Sequence, residues 1–282
     1  MTVTASAERD VIAALQEVTV RFGGVVALDS VTMEVCQGEV VALVGPNGAG
    51  KTTLLNVLAG VVAPSEGGLH CFDERRTRFS PVAQARLGIA RTFQQLSLLR
   101  EMTVREHVMF GYLASLRSQM RFGGYLLSSA RLAGMAKADD SPLAPDALLD
   151  RLGLTDVADQ LAAEQPVGTA RMVDLARALA MRPKLLLLDE PVSGLSDLEA
   201  RAVAASLAEI RGEHRMAVLI VEHNMDFARI VSDRMIALDF GAVIAEGTPV
   251  EVLNSERVRK AYFGMAEAEI AEGHAGDEVS AQ

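Results

Sequence analysis

The sequence predicts an α/β fold built around a mostly parallel sheet, and two observations predict it. Short apolar runs at residues 185–188 and 217–221 alternate with segments of helical spacing, which is the pattern of strands and helices in a parallel sheet. Nearer the N-terminus, an apolar strand ends in a glycine-rich loop that leads into a helix-forming run. A loop in that position binds phosphate in many parallel α/β proteins.

The composition of the 282-residue chain suits an aliphatic interior, because 50% of the residues are hydrophobic and only 4% are aromatic. The net charge of −10 argues against a nucleic-acid partner, since nucleic acids are bound by basic surfaces. Cys36 and Cys71 lack metal-ligand spacing, so we expect buried free thiols in a reducing cytosol. No signal-peptide pattern opens the sequence, and no apolar run reaches the ~18 residues that a membrane span needs. We therefore expect membrane association only through a partner.

The glycine-rich loop reads GPNGAGKT from Gly45 to Thr52 and has the spacing of a nucleotide phosphate-binding loop. Its glycines let successive backbone N–H groups point at one phosphate chain, and the helix that follows adds its N-terminal dipole. Lys51 supplies an ammonium for the outer phosphates, and the Thr52 hydroxyl can join a magnesium shell. A chance glycine-rich turn is the alternative, but the strand before and the helix after the loop favour a nucleoside-triphosphate site. The candidate nucleotide ligands are Gly45, Pro46, Asn47, Gly48, Ala49, Gly50, Lys51, Thr52 and Thr53.

The segments around this loop are predicted in chain order. Apolar and polar residues alternate on both sides of Gly23-Gly24, which predicts an N-terminal antiparallel β subdomain. A short strand covers residues 89–93 and ends at Gln94, after which residues 96–165 show helical spacing and form an inserted helical subdomain. Within it, residues 117–147 hold several helix breakers, and a solvated helical insertion is favoured there over a membrane-surface or partner-binding helix.

The C-terminal part returns to alternating helices and strands. We predict a helix at 169–181, strands at 185–188, 217–221 and 235–238, and a capping box with proline at the first helical position in Thr248-Pro249-Val250-Glu251. The acidic residues 265–282 are predicted to form a disordered tail. One domain is thus expected at 12–264, in which 12–95 and 166–264 form the α/β core with its β subdomain.

Carboxylates at the ends of two predicted strands suggest the chemistry. Asp189 and Glu190 follow a buried strand, at the edge where α/β sheets hold ligands. Beside a phosphate loop, Asp189 is placed to hold magnesium and Glu190 to polarise the attacking water. Alone, this pair would be an ordinary strand end. His223 follows a second strand in the layer where it can touch the γ-phosphate or order Glu190, although a lone histidine is more often structural.

Together these motifs resemble the ATP-binding subunits of ABC transporters over residues 12–264. The resemblance implies an ATP hydrolase that uses ATP and Mg²⁺, with Asp189 as a metal ligand and Glu190 as the catalytic carboxylate. It further implies that Gln94 senses and binds the magnesium, that His223 is the switch histidine and that Phe22 stacks on adenine.

Several segments resemble the branched-chain amino acid importers in particular. They are RFGGVVALD, GIARTFQQLSLLREMTV, VEHNMD, AEGTP and the closing AYFG at 261–264. This resemblance implies two membrane permeases, an extracytoplasmic substrate-binding protein acting through them, and a second ATPase subunit that makes a homo- or heterodimer. It places the chain on the cytoplasmic face of the membrane, with residues 96–108 expected to contact a permease.

The signature segment departs from the family pattern. Residues 165–169 read Gln-Pro-Val-Gly-Thr, where the broad family has Leu-Ser-Gly-Gly-Gln. The resemblance places Gly168 and Thr169 against the ATP held by the opposite subunit, and the missing serine hydroxyl predicts a weaker contact there. Ser196 stands where the family typically has Asp or Asn, a position that links the two sites.

Two other functions fit less well. A soluble ABC-type ATPase outside transport usually carries a coiled coil or a second ATPase domain, whereas this sequence has one phosphate loop and no heptad run. A subunit that holds ATP with little turnover would fit the unusual signature, but Glu190 and His223 argue for hydrolysis.

Overall fold

The computed structural model describes residues 10–72, 74–76, 79–92, 98–119, 136 and 139–262. The strands in this part are β1 (Val11–Phe22), β2 (Val25–Cys36), β3 (Val40–Val44), β4 (Glu66–Cys71), β5 (Glu74–Arg75), β6 (Ile89–Arg91), β7 (Leu185–Asp189), β8 (Ala217–Val221), β9 (Arg234–Asp239) and β10 (Ala242–Gly247).

The helices in the same part are α1 (Lys51–Leu58), α2 (Pro81–Leu87), α3 (Val104–Gln119), α4 (Pro145–Arg151), α5 (Val167–Ala180), α6 (Asp197–His214), α7 (Met225–Val231) and α8 (Pro249–Asn254). Two short 3₁₀ helices cover Thr155–Val157 and Ala162–Glu164, and residues 256–262 are helical.

The larger sheet has six strands in the order β10-β9-β3-β8-β7-β6. Its strands from β9 to β6 are parallel, and β10 alone pairs antiparallel with β9. Every residue of β3, β7 and β8 is buried, because helices cover both faces of a parallel sheet. This explains the continuous apolar runs and confirms the predicted parallel core.

The smaller sheet is antiparallel, in the order β2-β1-β4-β5, and confirms the N-terminal β subdomain. β1 and β2 form a hairpin around the predicted turn at Gly23-Gly24. Strands β4 and β10 and helix α2 were not predicted. The sequence of β4, EGGLHC, has two glycines and no alternation, so its pairing with β1 is decided by tertiary contacts.

Helices α3 and α4 of the helical subdomain pack against α5 and the parallel core. Val108, Leu148 and Leu179 are fully buried in one apolar cluster that continues to β7 and α6. Helix α5 begins at Val167 rather than at Thr169, and Pro166 is its N-cap with a ψ of 150°, outside the helical range. Strand β6 likewise ends at Arg91, earlier than predicted.

The predicted capping box at Thr248 is confirmed, with reciprocal hydrogen bonds between Thr248 and Glu251. Cys36 and Cys71 are both buried, as predicted, and burial raises the pKa of the Cys71 thiol to about 11. Gln94, much of 117–147 and the tail at 265–282 lie outside the described residues. The domain limits at 12 and 264 stay predictions.

Within the described part of the chain, no helix combines the length and the apolar character that crossing a bilayer requires.

Candidate nucleotide-binding site

The phosphate loop follows β3 at the carboxyl edge of the parallel sheet. Two of its glycines are required by space as well as by backbone conformation. A Cβ on Gly45 would lie 2.2 Å from the carbonyl oxygen of Leu238, and a Cβ on Gly50 would lie 2.5 Å from that of Ala27. Gly50 also has a φ of 101°, which disfavours other residues. The loop is therefore wedged between the β9–β10 hairpin and β2, which fixes its shape.

Lys51 is buried inside this loop. Its Nζ donates hydrogen bonds to the carbonyl oxygens of Gly45, at 2.6 Å, and Pro46, at 2.8 Å. Burial lowers the pKa of Lys51, and the nearby charges of Glu190 and Asp189 oppose that shift. The ammonium thus lies between the loop and the two carboxylates, where it can meet a phosphate chain.

The other loop residues differ in exposure. Asn47, Gly48 and Thr52 are exposed, Gly50 and Thr53 are half-buried, and Gly45, Pro46 and Ala49 are buried. Thr52 belongs to the first turn of α1, so its hydroxyl is accessible beside the N–H groups of that helix end.

Glu190 and His223 lie in contact. The parallel register pairs Asp189 of β7 with Val221 of β8, and the N–H of Glu190 donates to the Val221 carbonyl at 2.9 Å. Each strand then continues by one or two residues to its functional side chain, and Nε2 of His223 lies 2.9 Å from Oε1 of Glu190. Glu190 has a φ of 50°, unusual for a residue with a Cβ, so the chain turns sharply as it leaves β7.

Asp189 is buried and paired with Arg91 of β6. Its Oδ2 lies 3.0 Å from Nη2 of Arg91, and its backbone N–H donates to the hydroxyl of Thr92. Arg91 also donates to the side-chain oxygen of Asn56 on α1. One guanidinium therefore links the metal-ligand candidate to the helix that follows the phosphate loop.

Glu222 lies between the loops that carry Glu190 and His223. Its buried carboxylate accepts three backbone hydrogen bonds, from the N–H of Val192 at 3.3 Å, of His223 at 3.1 Å and of Asn224 at 3.2 Å. Burial raises the pKa of Glu222, although these donors oppose the shift by favouring the carboxylate. The side chain ties the segment after β7 to the segment after β8.

The signature segment lies at the N-terminus of α5. Gly168 and Thr169 occupy the first turn of this helix and are half-buried. A Cβ on Gly168 would lie 2.9 Å from Cδ2 of Leu195, so glycine allows close packing against the loop after β7. Arg171, one turn along, donates from Nη1 to the Glu190 carbonyl at 3.3 Å. The contact with a second ATP stays a prediction.

Ser196 has a structural role, as a helix cap, that was not predicted from the sequence. It is the N-cap of α6 in a capping box, where its hydroxyl accepts from the N–H of Glu199 and the Glu199 carboxylate accepts from the N–H of Ser196 at 2.8 Å. Serine is among the best residues at this position, so it replaces the family's Asp or Asn without loss of the cap.

Phe22 and Gln94 are the two remaining predicted ligands. Phe22 ends β1 and is 53% exposed, which leaves an aromatic face available for stacking, and its contact with adenine stays a prediction. Gln94 lies outside the described residues.

Three residues of the site, Arg91, Glu222 and Tyr262, were not predicted to have a role. Arg91 is a charged residue in a short buried strand, and Glu222 directly follows an apolar run, which are the signals that could have marked them. Tyr262, whose hydroxyl accepts a hydrogen bond from the N–H of Gly45 at 2.7 Å, lies 217 residues away and carried no such signal.

The donor set fits Mg²⁺ better than a metal held by protein alone. Among the described residues no group of three or more His, Cys, Asp or Glu could hold an ion. Mg²⁺ is usually held by one or two protein oxygens together with substrate phosphates and waters. A hydroxyl at Thr52, at the end of the phosphate loop, and a carboxylate at Asp189 are such oxygens.

Comparisons with known proteins agree with this geometry. The family model described as ABC transporter matches residues 28–193, and a second, described as branched-chain amino acid ATP-binding cassette transporter, matches residues 242–265. The high-affinity branched-chain amino acid transport ATP-binding protein LivG of Salmonella typhimurium is 37% identical over 254 residues, 90% of this chain and 98% of its own. BraF of Pseudomonas aeruginosa, of the same description, is 34% identical over 88% of this chain and 96% of its own.

Solved structures are similar over the same length. The ADP conformation of the ATP-binding cassette MJ1267 is 29% identical, covers 90% of this chain and 99% of its own, and superposes with a TM-score of 0.75. The ATP-binding cassette MJ0796, solved as a dimer in a post-hydrolysis state with ADP and Pi, is 25% identical with a TM-score of 0.70 and covers 84% of this chain and 99% of its own.

We expect Glu190→Gln to lower ATP turnover by at least ~100-fold, because general-base catalysis by a positioned carboxylate contributes about that much. The amide keeps the size of the side chain and can still meet His223, so ATP binding should be retained. Phosphate release measured beside nucleotide binding checks both expectations. Equal turnover in the variant and the parent would remove Glu190 from its role.

We expect Glu222→Gln to lower kcat by about tenfold, because an amide has one acceptor oxygen instead of two. In either orientation its NH₂ would face at least one of the three backbone N–H groups and displace the segment that carries it. The KM for ATP should change less, since the phosphate loop is untouched. Steady-state kinetics give kcat and KM, and a melting curve gives Tm. The matched control is Glu209→Gln on the exposed face of α6. If both variants kept parental kcat, Glu222 would have no part in placing the catalytic loops.

Proposed function

Because the chain belongs to the ABC transporter ATP-binding family, we propose that it is the ATP-hydrolysing subunit of an importer for branched-chain or related amino acids. The observation that carries the amino acid assignment is the match of residues 242–265 to the branched-chain family model, together with LivG and BraF, which match over nearly their whole length. We propose that the chain acts at the cytoplasmic face, held there by permease subunits.

The arrangement of side chains supports a hydrolysis mechanism. The phosphate loop and Lys51 hold the nucleotide, and Lys51 favours negative charge on the outer phosphates. Glu190, oriented through its contact with His223, accepts a proton from the attacking water as that water is aligned with the γ-phosphate. Thr52 and Asp189 would hold Mg²⁺, which supplies further charge neutralisation when bound. Gln94 is proposed as its additional ligand.

The position of the signature supports the proposal that a second subunit completes the site. Gly168 and Thr169 lie at the N-terminus of α5, where the helix dipole and unpaired N–H groups favour an anion. We propose that this end faces the ATP of a second copy or of a homologous subunit, and that closure of the dimer around two ATP molecules drives transport. The dimeric MJ0796 structure supports this arrangement.

A groove beside the helical subdomain is the proposed permease contact. It encloses about 290 Å³ between α2, α3 and α5, and Phe110 and Val61 at its edge are each 53% exposed. Large exposed apolar side chains around a groove are typical of a surface that receives a partner helix. Residues 98–108, the described part of the segment predicted to contact a permease, lead directly into this groove.

The solute assignment is tested by uptake in cells. Replacing the chain by its Lys51→Ala variant removes the charge that binds the phosphates, so uptake of labelled leucine, isoleucine and valine should fall to background. The control strain carries the parental chain at the same expression level. If the Lys51→Ala strain lost uptake of another solute but took up leucine normally, the chain would belong to an importer of that other solute. Normal uptake of all solutes with a nucleotide-free subunit would favour a function outside transport.

We expect Phe110→Glu to impair transport while leaving ATP binding by the isolated chain within about twofold, because a buried charge in the contact costs several kcal/mol there and nothing in the free chain. Uptake and co-purification with the permeases are the measurements. Val250→Glu on α8, at 60% exposure, is the matched control away from the groove. Co-purification of the Phe110 variant at the parental level would move the permease contact elsewhere.

A further inference from the structure

The C-terminal segment touches the phosphate loop at one point. The hydroxyl oxygen of Tyr262 accepts a hydrogen bond from the N–H of Gly45, with 2.7 Å between the oxygen and the nitrogen. We propose that Tyr262 is a positioning residue for ATP binding, which fixes the first residue of the phosphate loop from the branched-chain-type C-terminal segment. This inference concerns nucleotide binding and holds whichever solute is transported.

The Gly45 amide needs a partner from outside the sheet. The parallel ladder of β3 with β9 ends at the pair Val44–Ala237, so Gly45 is the first residue beyond it. Gly45 is buried, and a buried N–H without an acceptor is costly. Its carbonyl oxygen is already bonded by Lys51. The N–H and the carbonyl oxygen of Gly45 are thus both bonded to side chains, one from Tyr262, 217 residues away, and one from Lys51 within the same loop.

The loop has little freedom to find another arrangement. Gly45 has a φ of 149°, and its α-carbon lies so close to β9 that a Cβ would overlap the Leu238 carbonyl oxygen. A small rotation at Gly45 would carry the N–H groups further along the loop away from their common focus. The hydrogen bond from Tyr262 opposes that rotation at the point where the loop leaves the sheet.

Tyr262 is itself held firmly. It lies in the helical residues 256–262 and packs on an apolar cluster that joins β3, β9 and the C-terminal helices. The members of the cluster are Ala42, Val44, Ala228, Met235, Ala237, Val252 and Val258. The capping box at Thr248 fixes the start of α8, just before this packing begins. The packing of the ring on this cluster therefore fixes the position at which the hydroxyl meets the N–H of Gly45.

The hydrogen bond is independent of pH over the working range. Burial raises the pKa of Tyr262 to about 12, so the phenol is neutral at physiological pH. A loss of nucleotide affinity caused by removing the hydroxyl should therefore be constant between about pH 6 and 9, well below that pKa.

Tyr262→Phe in the full chain tests the proposal, since it removes one oxygen and keeps the ring that packs on the cluster. We expect the Kd for ATP, measured with a fluorescent analogue, to rise between about twofold and tenfold, the range that one hydrogen bond supplies. Hydrogen exchange at the Gly45 amide should become faster, while amides in β7 and β8 keep their protection.

Tyr112→Phe is the matched control. Tyr112 is buried in the helical subdomain, where its hydroxyl bonds to Asp139, so this variant loses a comparable hydroxyl far from the phosphate loop. Its Kd for ATP should equal the parental value. An unchanged Kd or unchanged Gly45 exchange in Tyr262→Phe would overturn the proposal. So would a weaker Kd that appears in both variants in proportion to a lower Tm, since that pattern marks general loss of stability.

Discussion

The parallel pairing of β7 with β8 is the constraint on which the geometry of the candidate catalytic edge depends. Because Asp189 is in register with Val221, the residues that follow each strand emerge side by side, and Glu190 meets His223. Neither strand carries a polar residue before its last position, so the strands are buried and the polar side chains are confined to the carboxyl edge of the sheet. The Glu222 carboxylate accepts hydrogen bonds from the segments that follow both strands. Because it is hydrogen-bonded in this way, a buried acid is tolerated here.

The phosphate loop is shaped by elements from every part of the core. Gly50 is pressed against the carbonyl of Ala27 in β2, and the N–H of Gly241 in the β9–β10 turn donates to the Ala49 carbonyl. Tyr262 holds the loop's first N–H. A loop that binds through its backbone N–H groups depends on their directions, and these neighbouring elements fix those directions.

Helix α5 connects surfaces that would otherwise be separate. With 14 residues it is about 20 Å long. Its first turn carries Gly168 and Thr169, the following turn reaches the Glu190 carbonyl through Arg171, and its last turns line the groove proposed for the permease. One helix therefore contacts both the segment that carries Glu190 and the groove proposed for the permease.

The sequence by itself determined the family, the mostly parallel core, the β subdomain and most residues of the candidate site. It could do so because the phosphate loop, the Asp189-Glu190 strand end and the capping box at Thr248 are local patterns with local physical causes. It did not determine β4, whose glycines hide the alternation, or the start of α5. Only the tertiary structure decided that Arg91 pairs with Asp189 and that Tyr262 meets Gly45. Those partners lie 98 and 217 residues apart, and packing rather than spacing brings them together.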